Sequence, residues 1–188
     1  APPFNPGSGS KSKDCFAGTE QVSLESGGTK DISEVDVGER IMVSDKNGNL
    51  MYSDVVFVPH KKNNEQTTFV KLNTANGHEL KITTTHLIPS GLCDVATNAF
   101  ELIHAEKLNV DMCVNTISGK DRIVSITQLS GHGVYTVVTA ENSGLIVVNG
   151  IIASSFGKNH MFVNMFYEIH RILFSFLPWV LDFGVVAK

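Results

Sequence analysis

From Cys15 onward the apolar residues come in short runs separated by Gly, Asn and Asp, a pattern that predicts an all-β domain. The strand candidates are Val55 to Val58, Thr68 to Leu72, Leu80 to Thr83, Ile123 to Ile126, Val134 to Val138 and Leu145 to Val148. Asn47-Gly48 and Asn76-Gly77 supply residues that tolerate positive φ, as tight hairpins require. Upstream of Cys15 the pattern stops: residues 1–14 hold three prolines, a Gly-Ser-Gly-Ser run and one bulky apolar side chain, Phe4, and read as a flexible linker. Downstream of Ser155 it changes again. Phe156, Phe162, Phe166, Phe174, Phe176, Phe183 and Trp179 crowd into the end of the chain, with Met161, Met165, Ile169, Ile172 and Leu173 at helix-like spacing. This predicts a short apolar helical segment over 158–188, either packed on the β-domain or offered to lipid at a membrane surface. Arg171, Pro178 and Asp182 interrupt the ~20 apolar residues that a span requires.

The chain also echoes itself. Thr74-Ala75-Asn76-Gly77-His78-Glu79-Leu80 resembles Thr139-Ala140-Glu141-Asn142-Ser143-Gly144-Leu145, each behind a strand led by an aromatic residue, Phe69 or Tyr135. Val35-Asp36-Val37 before Ile41 likewise resembles Leu108-Asn109-Val110 before Val114. Two matches in the same order predict a duplicated β-unit with pseudo-two-fold symmetry.

Composition narrows the partners. The 188 residues carry 15 basic and 19 acidic side chains, a formal net charge of −4, with no basic cluster of the kind nucleic acid requires. One substantial core is expected, in a monomer. The three cysteines, Cys15, Cys93 and Cys113, have no metal-ligand spacing, and no metal or cofactor is expected. An odd count leaves at least one thiol. Cys93 and Cys113 are either a disulfide pair or two ordinary buried cysteines. Ala1-Pro2-Pro3 fits neither a signal peptide nor a translation start, which suggests a piece of a longer precursor.

Cys15 stands at the boundary between linker and domain, where a thiol can attack the peptide bond just before it. A second chemical cluster, Thr83-Thr84-Thr85-His86, ends a predicted strand. Together with Cys15-Phe16-Ala17-Gly18, Gly27-Gly28-Thr29-Lys30, Val37-Gly38-Glu39-Arg40, Tyr52-Ser53-Asp54 and Val147-Val148-Asn149-Gly150-Ile151-Ile152-Ala153-Ser154, it resembles the autoprocessing domain of hedgehog-type precursors. The resemblance covers about residues 15–157, and the apolar tail has the position and character of that family's sterol-recognition segment.

The resemblance implies a Hint fold, the pseudo-symmetric β-domain shared with inteins, and self-cleavage in two steps. First, the Cys15 thiol attacks the Asp14 carbonyl carbon and turns the Asp14–Cys15 amide into a thioester. His86 matches the residue that protonates the departing nitrogen, and Thr83 the residue that polarises and orients the amide. Second, a hydroxyl acceptor attacks the thioester and releases the upstream segment as an ester. The tail residues Phe162, Phe166, Ile169, Leu173 and Trp179 would bind that acceptor. The resemblance also implies the secretory route.

Three positions depart from the family. Its aspartate base falls on His60, within Val58-Pro59-His60-Lys61. Imidazole is still a base, with an ordinary pKa of ~6.5 against ~3.9 for Asp, which resembles nematode hedgehog-related proteins, whose acceptors need not be cholesterol. The alternative is a loop histidine beside Lys61 and Lys62. Asp14 stands where glycine is usual, and a carboxylate there disfavours the thiolate and slows the first step. Ser155 stands where the family often has a second cysteine, so a disulfide from that position to Cys15 is impossible.

Other readings are weaker. Splicing needs a C-terminal Asn, and the chain ends Gly184-Val185-Val186-Ala187-Lys188. A cysteine protease acting on other proteins needs an open cleft, whereas the linker joined directly to Cys15 favours action in cis. A non-catalytic lipid-binding or spacer module is the main non-enzymatic rival.

Overall fold

The computed structural model describes residues 15–59, 64, 66–94 and 100–155. The linker, Asp14, His60 and the segment 158–188, with its expected helix, lie outside the described residues. Within them the protein is β throughout, with two 3-10 turns and no α-helix.

Two successive stretches of chain share one layout. The chain opens with β1 (Phe16–Ala17). The first stretch then runs β2 (Gln21–Ser23), β3 (Thr29–Asp31), a 3-10 turn over Ile32–Glu34, β4 (Arg40–Ser44), β5 (Leu50–Phe57), β6 (Gln66–Thr74) and β7 (Glu79–Thr83). The second runs β8 (Leu87–Leu92), β9 (Glu101–His104), a 3-10 turn over Ala105–Lys107, β10 (Met112–Thr116) and β11 (Gly119–His132). It continues through β12 (Val134–Tyr135), β13 (Val138–Thr139) and β14 (Leu145–Val148), and β15 (Ile151–Ser154) completes the described chain. All the strand pairings are antiparallel.

The echo seen in sequence has a counterpart in these bonds. Each 3-10 turn is followed by a buried aliphatic residue, Val35 or Leu108, and then by a hairpin, β4–β5 or β10–β11. Gly38 (φ 91°) donates its N–H to Val55 O at 2.8 Å, and Asp111 (φ 76°) donates to Ile123 O at 3.0 Å. The stretches then exchange strands: β6 of the first pairs with β11 of the second, and β13 of the second pairs with β5 of the first. Ala75 N accordingly donates to Arg122 O, and Ala140 N to Asp54 O, each at 2.8 Å. The duplicated unit is thus a pair of interlocked halves, neither of which keeps its sheet neighbours without the other.

The core between the halves is built from branched aliphatic side chains, among them Val22, Ile41, Val55, Leu72, Leu80, Ile82, Ile123, Ile146 and Val148, together with Phe16. Branched residues favour extended backbone and pack well on a pleated face, so burial and strand preference agree here. Asn47-Gly48 and Asn76-Gly77 lie at the β4–β5 and β6–β7 hairpins, with φ of 87° at both glycines. The single strand expected over Val134 to Val138 is two. β12 pairs with β1 and β13 with β5, so the chain leaves one partner at Thr136 and Val137 before joining the other. An unbroken run of β-favouring residues cannot show such a change of partner.

Candidate active site

Cys15 enters the fold through an irregular pair. Phe16 lies opposite Ile82 in the β1–β7 ladder, which sets Cys15 opposite Thr83. Two residues facing each other in this register ordinarily exchange both main-chain hydrogen bonds. One is made: Thr83 N donates to Cys15 O at 2.9 Å. The other is not, because Thr83 O accepts from His86 N at 3.0 Å in the turn that ends β7. The Thr83 hydroxyl stands in for its own carbonyl, and Cys15 N donates to Thr83 Oγ1 at 3.1 Å. The Thr-x-x-His spacing explains the exchange. Three residues form the turn that consumes the carbonyl, and the threonine at its start supplies a replacement acceptor to the nitrogen of the Asp14–Cys15 bond.

His86 is buried at the end of that turn, its ring centroid 4.4 Å from that of Phe16. Its Nε2 lies 2.6 Å from Ser154 O, and since a carbonyl only accepts, Nε2 carries a hydrogen. That bond fixes the ring and commits Nε2, so Nδ1 is the nitrogen through which the imidazole can exchange a proton. The second half carries the turn. Ala105 N donates to His86 O at 2.8 Å, Glu106 N to Thr84 O at 2.9 Å, and His104 Nδ1 lies 2.6 Å from Thr85 O. The 3-10 turn of one half therefore braces the loop bearing the histidine of the other.

The structure brings Cys15, Thr83 and His86 together, all buried, and Cys15 keeps its thiol. Cys93 and Cys113 form a disulfide. Asp14, His60, Phe162, Phe166, Ile169, Leu173 and Trp179 lie outside the described residues. Two participants carried little signal in the sequence, and a third, Gly18, stood in a motif with no role read for it. Ser154 acts through its backbone carbonyl, which no side-chain pattern reveals. Thr136 Oγ1 donates to Ser155 O at 2.9 Å from a position that read as plain strand. Gly18 is required because a Cβ there would meet the Tyr135 ring at 2.7 Å.

A polar knot stabilises β1 and its neighbours from below. Glu20 is buried, and its Oε2 accepts from Lys81 N at 3.0 Å and from Asn149 Nδ2 at 2.7 Å. Burial, the largest influence, raises the Glu20 carboxyl above its ordinary value, against the opposing pull of Lys81. Asn149, at φ 49°, also donates to Glu79 O at 2.8 Å and accepts from Gln21 N at 2.7 Å through Oδ1. Among the described residues no group of His, Cys, Asp and Glu could hold a metal ion. The cleft of about 660 Å³ bounded by Asp45, Leu50, Leu102, Ile117 and Ile152 is lined by none of Cys15, Thr83 and His86.

Comparison with known proteins bears on the family and the fold. The Hint module family matches residues 5–182. Warthog protein 6 of Caenorhabditis elegans is 30% identical over 145 residues, 74% of this chain and 24% of that protein. Protein hedgehog of Drosophila pseudoobscura pseudoobscura is 30% identical over 148 residues, 76% of this chain and 30% of that protein. The chain thus spans about a quarter to a third of these relatives' length. Among solved structures, the gp41-1 intein superposes with a TM-score of 0.59 at 21% identity, covering 76% of this chain and 99% of the intein. A DnaB intein from Synechocystis sp. PCC 6803 gives 0.60 at 20%, covering 75% and 97%.

Proposed function

We propose, for a chain that belongs to the Hint module family and is similar to hedgehog and hedgehog-related proteins, single-turnover autoprocessing at the Asp14–Cys15 bond. One observation carries the reading: the acceptor for the Cys15 N–H is Thr83 Oγ1, so the Thr-x-x-His motif meets the domain at the nitrogen that cleavage must expel. In the first step the Cys15 thiol gives its proton to Nδ1 of His86, Sγ attacks the Asp14 carbonyl carbon, the C–N bond breaks, and the nitrogen leaves as an amine. An amide nitrogen is a poor leaving group unless protonated. His86, with Nε2 held by Ser154 O, delivers that proton from Nδ1. Thr83 keeps the nitrogen in place while its carbon becomes tetrahedral. The product is a thioester between Asp14 and Cys15.

In the second step a hydroxyl compound attacks the thioester carbonyl, Cys15 Sγ departs as the thiol, and the upstream segment leaves as an ester, or as an acid if water attacks. His60 is the proposed base, and Phe162, Phe166, Ile169, Leu173 and Trp179 the proposed contacts for a sterol, another lipid alcohol or a small polyol. On this reading residues 1–14 are a linker, 15–157 the catalytic domain and 158–188 the acceptor-recognition segment, in contact with a membrane surface. The Cys93–Cys113 disulfide supports processing in an oxidising compartment, which fits the secretory route.

The test is treatment of the purified chain with hydroxylamine at neutral pH. Hydroxylamine captures thioesters without reducing the disulfide, as a dithiol would. Release of residues 1–14 as the hydroxamate, lost in Cys15→Ala, is the expected result. An inert wild-type chain would instead favour a non-catalytic spacer or lipid-binding module.

A further inference from the structure

One buried side chain, next to the residue whose carbonyl holds His86, takes no part in the chemistry above. Ser155 follows β15 and is 1% exposed, and its Oγ has no hydrogen-bond partner among the described residues. Burying a hydroxyl in this way costs its desolvation with nothing in return, and most buried hydroxyls avoid it. The deficit is not due to a loose chain, because the backbone of Ser155 is held at both ends. Its N–H donates to Gly144 O at 2.8 Å and its carbonyl accepts from Thr136 Oγ1 at 2.9 Å.

The surroundings say what the hydroxyl is near. The carbonyl just before it, Ser154 O, holds His86 Nε2 at 2.6 Å. On the other side, Tyr135 pairs with Phe16 and Val134 with Ala17, and Thr136, where the chain leaves β1, is the residue next to Tyr135. Ser155 is therefore tied on one side to the residue beside the partner of Phe16, and on the other, through the carbonyl just before it, to the histidine.

We propose that the Ser155 hydroxyl is a hydrogen-bond donor to the Asp14 carbonyl oxygen as Cys15 attacks, a role that rests on the reading of Cys15 as the nucleophile. When the Sγ–C bond forms, the carbonyl electron pair moves onto oxygen. When the C–N bond breaks, that pair returns and the nitrogen takes its proton from His86. Ser155 gains and loses no covalent bond. A donor that lacks an acceptor in the resting fold and meets one as charge develops stabilises the transition state more than the ground state. Burial increases the effect, since there is little water to screen the new charge.

The experiment compares the full wild-type chain with Ser155→Ala and Cys15→Ala in neutral hydroxylamine, with thermal melts alongside. Ser155→Ala is expected to release residues 1–14 about 10²-fold more slowly, while melting at or above the wild-type temperature because an unpaired buried hydroxyl is gone. A Ser155→Ala rate within twofold of wild type would overturn the proposal, as would slow release accompanied by a lower melting temperature. Normal hydroxylamine release with loss only of transfer to an alcohol would also overturn it and assign Ser155 to the acceptor. A wild-type chain that is inert, or a Cys15→Ala chain that still cleaves, would overturn the nucleophile reading and the donor with it.

Discussion

Replacing Thr83 with valine tests the link between fold and chemistry most directly, because it removes one oxygen and keeps the side-chain shape. Thr83 is fully buried, and its Oγ1 accepts the Cys15 N–H at 3.1 Å. Thr83 O is already engaged by His86 N at 3.0 Å, so it is a poor substitute for the lost hydroxyl. Removing the acceptor of a buried N–H costs about 1–3 kcal/mol. For a chain of this length each kcal/mol lowers Tm by about 2–4 °C, so Thr83→Val should melt about 2–12 °C below wild type. If the same bond holds the nitrogen during attack, the rate falls as well. At tenfold per 1.36 kcal/mol, the loss is about 5- to 150-fold. Thr83→Ser keeps the hydroxyl and should recover most of both quantities. The assay is release of residues 1–14 by neutral hydroxylamine, followed by mass spectrometry, with calorimetry on the uncleaved chain. A valine variant that melts and cleaves like wild type would show that the 3.1 Å contact contributes nothing, and the argument from the Thr-x-x-His turn would fail.

Three further outcomes are expected. His86→Ala should lower thioester formation by about 10²- to 10⁴-fold in the same hydroxylamine assay; a rate close to wild type would remove His86 as the proton donor. The double variant Cys93→Ser/Cys113→Ser should lose up to about 3 kcal/mol of stability in a urea titration, the chain-entropy value for a loop of this size, and an unchanged midpoint would contradict it. For Glu20, whose carboxyl is raised in the fold, folding takes up a proton. Its contribution is therefore largest below the ordinary carboxylate value and is lost as pH rises through the raised one. Relative to wild type, Glu20→Gln should become more stable as pH increases from acid to neutral, and a Tm difference that is flat with pH would refute this. Asp45 and Glu79, whose carboxyls are lowered chiefly by hydrogen bonds from Asn49 and Lys71, act in the opposite sense but cancel in the comparison.

Much of the protein was legible before its structure. Apolar positions bounded by Asn-Gly placed β6, β7 and β14 close to their observed limits, because β6 and β7 bury largely alternate residues and β14 is a run of branched ones. The two echoes located the duplicated halves, since equivalent turns need equivalent small or polar residues. Cys15, Thr83 and His86 were read as a set from the resemblance of their motifs, and they lie on adjoining elements of the fold. Short strands such as β2 and β3 were invisible, since three residues carry too little periodicity. The change of partner at Thr136 was equally hidden, because strand propensity does not say which strand lies alongside.

By itself, then, the sequence determined the fold class, the repeat and the kinds of group the candidate site holds, because these follow from local periodicity and from side-chain chemistry. Only the tertiary structure decided how those groups meet. The Thr83 carbonyl goes to His86, leaving its hydroxyl for Cys15 N, and the Ser154 carbonyl fixes which nitrogen of His86 is committed. Ser155 is left buried with an unmet hydroxyl. These are contacts between residues 68 positions apart, or turns whose carbonyls are consumed by the backbone. Backbone carbonyls are the same in every residue type, so their partners are set by the packing of strands and cannot be read from the order of side chains.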